Sequence, residues 1–153
     1  MPHPNILIIG YGSPIRGDDA IGPLAAEALA ASPLAPGVRV ISRHILTAEL
    51  VADIADADRV IFLDACVEGE PGEVRVQPLT ADDSVISSMA HFLDPRELLA
   101  WCQALYQREP TAYLFTVAGQ SFDYAHYALS PTAATALASL LAQVRALLAL
   151  ARI

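Results

Sequence analysis

The feature that most constrains the fold is an uninterrupted apolar run near the N-terminus that passes directly into a glycine-rich loop. The run 6–9 (Ile-Leu-Ile-Ile) is typical of a parallel strand buried on both faces, and the loop 10–17 that follows contains three glycines. In open α/β sheets, ligands bind at the carboxyl ends of the parallel strands. The two adjacent aspartates that end the loop, Asp18 and Asp19, are therefore the first candidates for a functional site.

A nucleotide-binding turn is the main competing interpretation of this loop, because Gly10 and Gly12 supply the first half of G-x-G-x-x-G. The third glycine is missing, since its position is held by Ile15, and the neighbouring Pro14 cannot donate a backbone N–H to a phosphate. Two carboxylates at a helix start would also repel a pyrophosphate. The pattern therefore disfavours a dinucleotide site.

Two adjacent carboxylates suit a hard or borderline cation, or acid–base work on water. Helix capping is the structural alternative, because aspartate is a preferred N-cap residue. One aspartate is enough for a cap, so the second of the pair, Asp18 or Asp19, remains a candidate for function.

Length, charge and composition define the class of protein. A chain of 153 residues indicates one domain, spanning residues 1–153. The net charge of −8 argues against a phosphate-backbone partner, and the basic residues form no stripe along any segment, so we expect no nucleic acid.

The two ends of the chain bear on where the protein is located. The N-terminus has no basic region followed by an apolar run, so no secretory signal is predicted. The apolar segment 132–153 is interrupted by Gln143, Arg145 and Arg152, which we interpret as a docked helix below the threshold for a membrane span. We therefore expect a cytoplasmic protein without a membrane partner.

Strand-like and helix-like segments alternate along the chain, which predicts a layered α/β domain. The fourth strand alternates apolar with polar residues, which suits a sheet edge and an antiparallel orientation. The predicted strands are 5–10, 38–43, 59–65, 73–79 and 112–118. The predicted helices run from about Pro23 to Ala31, from a Thr47 cap to Ala55, from Asp94-Pro95 to Tyr106, and from Ser130-Pro131 onward.

Asp64 is a second candidate, because it closes the apolar run 60–63 at the carboxyl end of the third predicted strand. With right-handed crossovers, the first and third strands can be neighbours about 4.8 Å apart. Asp19 and Asp64 would then lie at one edge of the sheet and could share one ion. The alternative is an aspartate that merely caps the loop after its strand.

His91 precedes the third predicted helix and would complete an Asp, Asp, His set that fits nickel or zinc and leaves positions open. A single histidine is more often an ordinary surface or core residue. His44, at the end of the second strand, lies on the same predicted edge and could support the site. Cys66 could act as a thiol nucleophile with His91 as base, although cysteine is more often a small buried hydrophobe.

In their order along the chain, these motifs resemble the hydrogenase maturation proteases. The order comprises G-x-G-x-P-x-x-x-D-D-x-x-G over 10–22, a strand that ends in Leu-Asp-Ala at 63–65, a histidine before the third helix, and Leu-Ser-Pro at 129–131. The resemblance covers nearly the whole chain. It implies a peptidase that removes a short C-terminal extension from the large-subunit precursor of nickel-iron hydrogenase after nickel insertion.

The resemblance also implies a fold and a site. The fold would be a three-layer α/β/α sandwich of the phosphorylase/hydrolase-like type, with a five-stranded mixed sheet in the order 2-1-3-5-4 and strand 4 antiparallel. The catalytic, metal-contacting positions fall on Asp19, Asp64 and His91, which leaves Asp18 as a cap. The substrate would supply the nickel, so no tightly bound cofactor is expected. The apolar last helix leaves dimerisation open, and we expect a monomer or weak homodimer.

The sequence leaves three points open. Ser13 and the segment 44–50 depart from the usual pattern of the family, so the identity of the hydrogenase is not defined. Either an aspartate, as general base, or the metal, as Lewis acid, could activate water. Two rival functions use the same residues: a zinc-dependent metallopeptidase that keeps its own metal, and a non-enzymatic nickel carrier.

Overall fold

The computed structural model describes residues 3–82, 93–124 and 127–150. Over these residues, strands and helices alternate as predicted, and most boundaries agree to within about two residues. The strands are β1 (Ile6–Tyr11), β2 (Val38–Arg43), β3 (Arg59–Cys66), β4 (Val74–Leu79) and β5 (Thr111–Ala118). The helices are α1 (Ile21–Ala30), α2 (Leu50–Ala55), α3 (Pro95–Tyr106) and α4 (Pro131–Leu150), and a short 3-10 helix, Gly17–Ala20, precedes α1.

The strands form a single five-stranded sheet in the order β2-β1-β3-β5-β4. Strands β1, β2, β3 and β5 are parallel, and β4 pairs antiparallel with β5 at the edge. The mixed sheet and its strand order are therefore confirmed. The register pairs Ile9 with Phe62 and Gly10 with Leu63, so the carboxyl ends of β1 and β3 lie side by side.

The apolar run of β1 supplies both faces of the sheet, because successive side chains of a strand point to opposite sides. Leu7 and Ile9 pack with Phe62 in the core beneath α2 and α3. Ile6 and Ile8 pack in the second core, beneath α1 and α4. Burying each such side chain contributes about 1.5–3 kcal/mol. The result is the expected three-layer α/β/α sandwich.

Two helix starts are capped as their sequences predict. The Asp94 carboxylate accepts a hydrogen bond from the backbone N–H of Arg96 at 2.8 Å, ahead of Pro95 in the first turn of α3. The Ser130 hydroxyl accepts one from the N–H of Ala133 at 3.2 Å at the start of α4.

The predicted Thr47 cap of α2 was wrong. Helix α2 begins at Leu50, and its N-cap residue, Glu49, makes no side-chain capping bond. The chain instead enters through a turn in which the N–H of Leu50 donates to the carbonyl of Thr47 at 3.1 Å. The backbone of Thr47 thus closes the turn, while its hydroxyl is buried without a hydrogen-bond partner among the described residues.

Helix α4 is long and apolar enough to cross a membrane by length and composition alone, so the expectation that it falls below that threshold was wrong. Its polar residues are too few to lower the average sufficiently. A core helix of a soluble domain meets the same criteria, and α4 buries Ala133, Ala136, Leu140 and Val144.

Candidate active site

A close approach of two glycines places α1 directly over the carboxyl ends of β1 and β3. A Cβ atom on Gly22 would lie 2.6 Å from the carbonyl oxygen of Leu63 and would also collide with the carbonyl of Tyr11. A Cβ on Gly10 would collide with the carbonyl of Gly22. Only residues without a side chain permit this packing, which brings the loop before α1 to the edge of the sheet where Asp64 lies.

Asp18 is a buried anchor for distant parts of the chain. Its carboxylate accepts hydrogen bonds from the backbone N–H groups of Gln120, Ser121 and Ser130 at 2.7, 3.1 and 2.7 Å, and from the Ser130 hydroxyl at 2.8 Å. Burial opposes its ionisation, but the bonds from Ser130, Gln120 and Ser121 outweigh that effect and hold the pKa of Asp18 below its ordinary value. The carboxylate therefore ties the loop after β5 and the start of α4 to the glycine-rich loop.

The prediction that Asp18 serves as a helix cap was therefore wrong for its own helix. The 3-10 helix Gly17–Ala20 has no side-chain capping bond at its N-cap. The cap is absent because both oxygens of the Asp18 carboxylate instead accept hydrogen bonds from residues after β5.

Asp19 and Asp64 line the same open cleft, as the sequence predicted. The cleft has a volume of about 390 Å³ and lies at the carboxyl ends of β1 and β3. His44 also lines it, in agreement with its predicted position on this edge. The remaining lining residues are Tyr11, Gly12, Ser13, Arg16, Ile45, Leu46, Leu93 and Tyr124.

The Asp19 carboxylate is held by the loop that precedes it. Its Oδ2 atom accepts a hydrogen bond from the backbone N–H of Ser13 at 2.8 Å. The N–H of Asp19 in turn donates to the carbonyl of Arg16 at 3.1 Å. Asp19 is partly exposed, so a fixed carboxylate faces a site that solvent and a ligand can reach.

Asp64 is the most perturbed acid of the cleft. Burial raises the pKa of its carboxyl to about 7; the negative charge of Asp19 adds to this, against hydrogen bonds from the Ala65 N–H and the Tyr11 hydroxyl. The Ala65 bond measures 2.8 Å. Burial, followed by the charge of Asp64, also raises the pKa of Tyr11, so this phenol stays a proton donor to Asp64. Asp64 can therefore both accept and release a proton near neutral pH.

This perturbed acid predicts a pH-dependent stability. The pKa of Asp64 is about 7 in the folded chain, against an ordinary value of 3.8, so its contribution to stability is fully present below pH 3.8 and is lost as pH rises through 7. The substitution Asp64→Asn removes this loss. We expect the free energy of unfolding of the variant, relative to wild type, to rise by about 1–3 kcal/mol between pH 4.5 and pH 8.

Denaturant unfolding of both proteins at the two pH values measures this difference. A constant difference across the range would mean that Asp64 titrates as an exposed aspartate does. Asp18 is present in both proteins, and its effect on the free energy of unfolding should appear only in acid. Because its pKa is lowered, its contribution to stability is lost as pH falls from the ordinary pKa of 3.8 through the lowered one.

His91, the third predicted member of the set, lies outside the described residues. Among the residues that the structure does describe, no group of three or more His, Cys, Asp or Glu side chains is placed to hold a metal ion. The structure thus brings together two of the three predicted residues, and the third stays a prediction.

Cys66 does not line the cleft, although it follows Asp64 by two positions. Its thiol donates to the carbonyl of Glu68 at 3.2 Å. The second cysteine, Cys102, lies on the buried face of α3, and its burial raises the pKa of the thiol to about 11. Both cysteines are free, and the geometry gives no support to a thiol nucleophile.

Sequence reasoning missed Tyr11, Arg16 and Tyr124, all of which line the cleft. Tyr11 is the last residue of β1, and its ring packs edge-on against Phe62 with ring centres 6.5 Å apart. A signal for Tyr11 was available, because it is a polar aromatic residue directly after a buried strand. Nothing in the sequence links Tyr124 to a loop that lies more than a hundred positions earlier.

The chain matches the model of a known protein family. The family model for hydrogenase maturation protease (HycI) matches residues 23–146, which is most of the chain. The chain belongs to the hydrogenase maturation protease family. The match includes Asp64 and begins just after the loop that carries Asp19. No curated protein matches the chain significantly.

Solved structures of this family have the same fold. The hydrogenase maturating endopeptidase HybD from E. coli is 27% identical, with 94% of this chain and 91% of that chain covered and a TM-score of 0.78. The hydrogenase maturation protease HycI from Thermococcus kodakarensis is also 27% identical, with coverages of 94% and 92% and a TM-score of 0.74. A hydrogenase 2 maturation peptidase from a Thaumarchaeota archaeon, 23% identical with coverages of 95% and 99%, shares the fold with a TM-score of 0.73.

Proposed function

We propose that the protein is an endopeptidase that removes the C-terminal extension of the large-subunit precursor of nickel-iron hydrogenase. The observation that carries this proposal is the pair Asp19 and Asp64 in one open cleft of a hydrogenase maturation protease fold. In this proposal the nickel belongs to the precursor. The protease recognises the bound nickel and therefore cuts only precursor in which metal insertion is complete. The enzyme would need no tightly bound cofactor of its own.

The chemistry of the cleft supports contact with a metal that another protein already holds. Two carboxylates, joined in this proposal by the His91 imidazole, form an oxygen-rich and unsaturated ligand set. Such a set binds a free divalent ion less firmly than a closed site of thiolates. It can nevertheless share an ion that the precursor supplies, and the ion then positions the chain to be cut.

Cleavage requires that a water oxygen bond to the scissile carbonyl carbon, that the C–N bond break, and that the leaving nitrogen receive a proton. Ionised Asp64 can take the proton from water and return it to the leaving amine, because its pKa is about 7. The nickel of the precursor can polarise the carbonyl as a Lewis acid. The two roles are compatible, and in this proposal Asp64 activates the water.

The experiment that tests this function combines enzyme and precursor in a two-by-two design. Enzyme is stripped of metal with a chelator that is then removed, or left untreated, and each preparation is mixed with nickel-loaded or nickel-free precursor. We expect both enzyme preparations to shorten loaded precursor at equal rates and to leave empty precursor intact. The shortening is followed by gel mobility and by the intact mass of the large subunit.

The same experiment tests both rival functions. A zinc-dependent metallopeptidase with its own metal would fail when stripped and would recover on addition of zinc. A non-enzymatic nickel carrier would bind nickel and cut neither precursor. Either result would contradict the proposal. A cytoplasmic location and a monomeric or weakly dimeric state stay predictions.

A further inference from the structure

Arg16 is a charged cleft residue that has no role in the proposed mechanism. Its side chain lines the same cleft as Asp19 and Asp64. The ion pairs among the described residues nevertheless all involve other arginines. A permanent positive charge is therefore present in the cleft without being paired to its carboxylates.

A tight turn and hydrogen bonds hold the backbone from Arg16 to Asp19. The next residue, Gly17, has a φ of 56°, and a Cβ on it would lie 2.6 Å from the carbonyl oxygen of Ser121. The N–H of Asp18 donates to that same carbonyl at 2.8 Å. The carbonyl of Arg16 accepts from the N–H of Asp19 at 3.1 Å. The backbone of Arg16 is thus fixed relative to that of Asp19, which carries one of the proposed catalytic carboxylates.

The guanidinium of Arg16 is also oriented. Its central carbon lies 4.8 Å from the centre of the Tyr124 ring, so the two groups form a cation–π contact. The Nε atom of Arg16 is buried and has no hydrogen-bond partner among the described residues. An aromatic contact of this kind leaves the N–H donors of the guanidinium available to an oxygen ligand.

We propose that Arg16 is a positioning residue that binds a main-chain carbonyl of the precursor beside the bond to be cut. This inference rests on the proposed function. A carbonyl fits better than a substrate carboxylate, because Asp19 and Asp64 would repel a further negative charge in the same cleft. An extended peptide offers a carbonyl at every residue, so this contact aligns the chain without selecting its sequence.

Steady-state cleavage of nickel-loaded precursor by Arg16→Met, Arg16→Lys and wild type tests the proposal. Loss of a charge-assisted hydrogen bond in Arg16→Met should raise KM by about tenfold or more, with kcat within about threefold of wild type. Arg16→Lys keeps the charge but loses the planar fork, so its KM should lie between the other two. The matched control is Arg39→Met on β2, because Arg39 pairs at the surface with Asp53 and lies outside the cleft.

A double-mutant cycle with Tyr124→Leu tests the orienting role of the ring. We expect Tyr124→Leu alone to raise KM as well, and the KM of the double variant to be no higher than that of Arg16→Met.

Unchanged KM in Arg16→Met, or a loss of kcat at constant KM, would overturn the positioning role. If amide replacement of the acidic side chains in the extension abolishes the Arg16→Met effect, the ligand is a carboxylate and the carbonyl assignment is wrong. Failure of wild type to cut loaded precursor would instead refute the proposed function.

Discussion

Asp19→Asn and Asp64→Asn are each expected to lower the cleavage rate of nickel-loaded precursor by at least about 100-fold. Asp64 is the proposed acid–base group, for which a loss of this size is usual, and Asp19 is a proposed contact to the metal of the precursor. Both carboxylates line the cleft, and asparagine keeps the size of each side chain while removing its charge and its capacity to take a proton. The measurement is the initial rate of precursor shortening. On the family resemblance alone, His91→Ala should have a similar effect.

The matched control is Asp53→Asn, which removes an aspartate that is about half exposed on α2 and lies outside the cleft. It should cleave at the wild-type rate. Circular dichroism and thermal unfolding separate loss of chemistry from loss of fold, and Asp64→Asn should be no less stable than wild type at pH 8. Wild-type activity in either cleft variant would remove that carboxylate from the mechanism.

Asp18→Asn is expected to destabilise the protein by about 3 kcal/mol or more, because hydrogen bonds to a buried charged group each contribute about 1.5–3 kcal/mol. Both oxygens of the Asp18 carboxylate accept bonds, so the amide nitrogen of asparagine would face a donor whichever way it turned. For a domain of this size, the midpoint of thermal unfolding should fall by roughly 6–12 °C.

Here too Asp53→Asn is the control, since a surface ion pair contributes about 1 kcal/mol or less. The loss in Asp18→Asn should shrink as pH falls below 3.8, because protonation progressively removes the bonds to the wild-type carboxylate as well. A melting temperature within about 2 °C of wild type at neutral pH would show that the four bonds to Asp18 contribute little.

Local patterns predicted the elements of this fold well. The run at 6–9 is typical of a strand buried on both faces, and the structure places it inside the sheet between β2 and β3. The edge position of β4 followed from its alternating residues. The strand order itself came from the family resemblance, because hydrophobic periodicity carries no information about which strands are neighbours.

The candidate site was predictable where it depended on strand ends and not where it depended on distant contacts. Asp64 could be placed because a parallel strand has a defined carboxyl end. Asp18 was misassigned because its partners lie 102 to 112 positions away along the chain. Thr47 failed as a cap because the chain enters α2 by a backbone turn, which a propensity for capping does not reveal.

The bonds of Asp18 also bear on the order in which a newly made chain can become active. The loop that carries Asp19 leaves the ribosome before Ser130, which supplies two of the bonds to Asp18 and lies 112 positions after it in the chain. Strand β1 and the glycine-rich loop can therefore form before the residues that donate hydrogen bonds to Asp18 have been made. A nascent chain lacks the hydrogen bonds that hold this loop until residues 120–130 have been translated and have folded back onto Asp18.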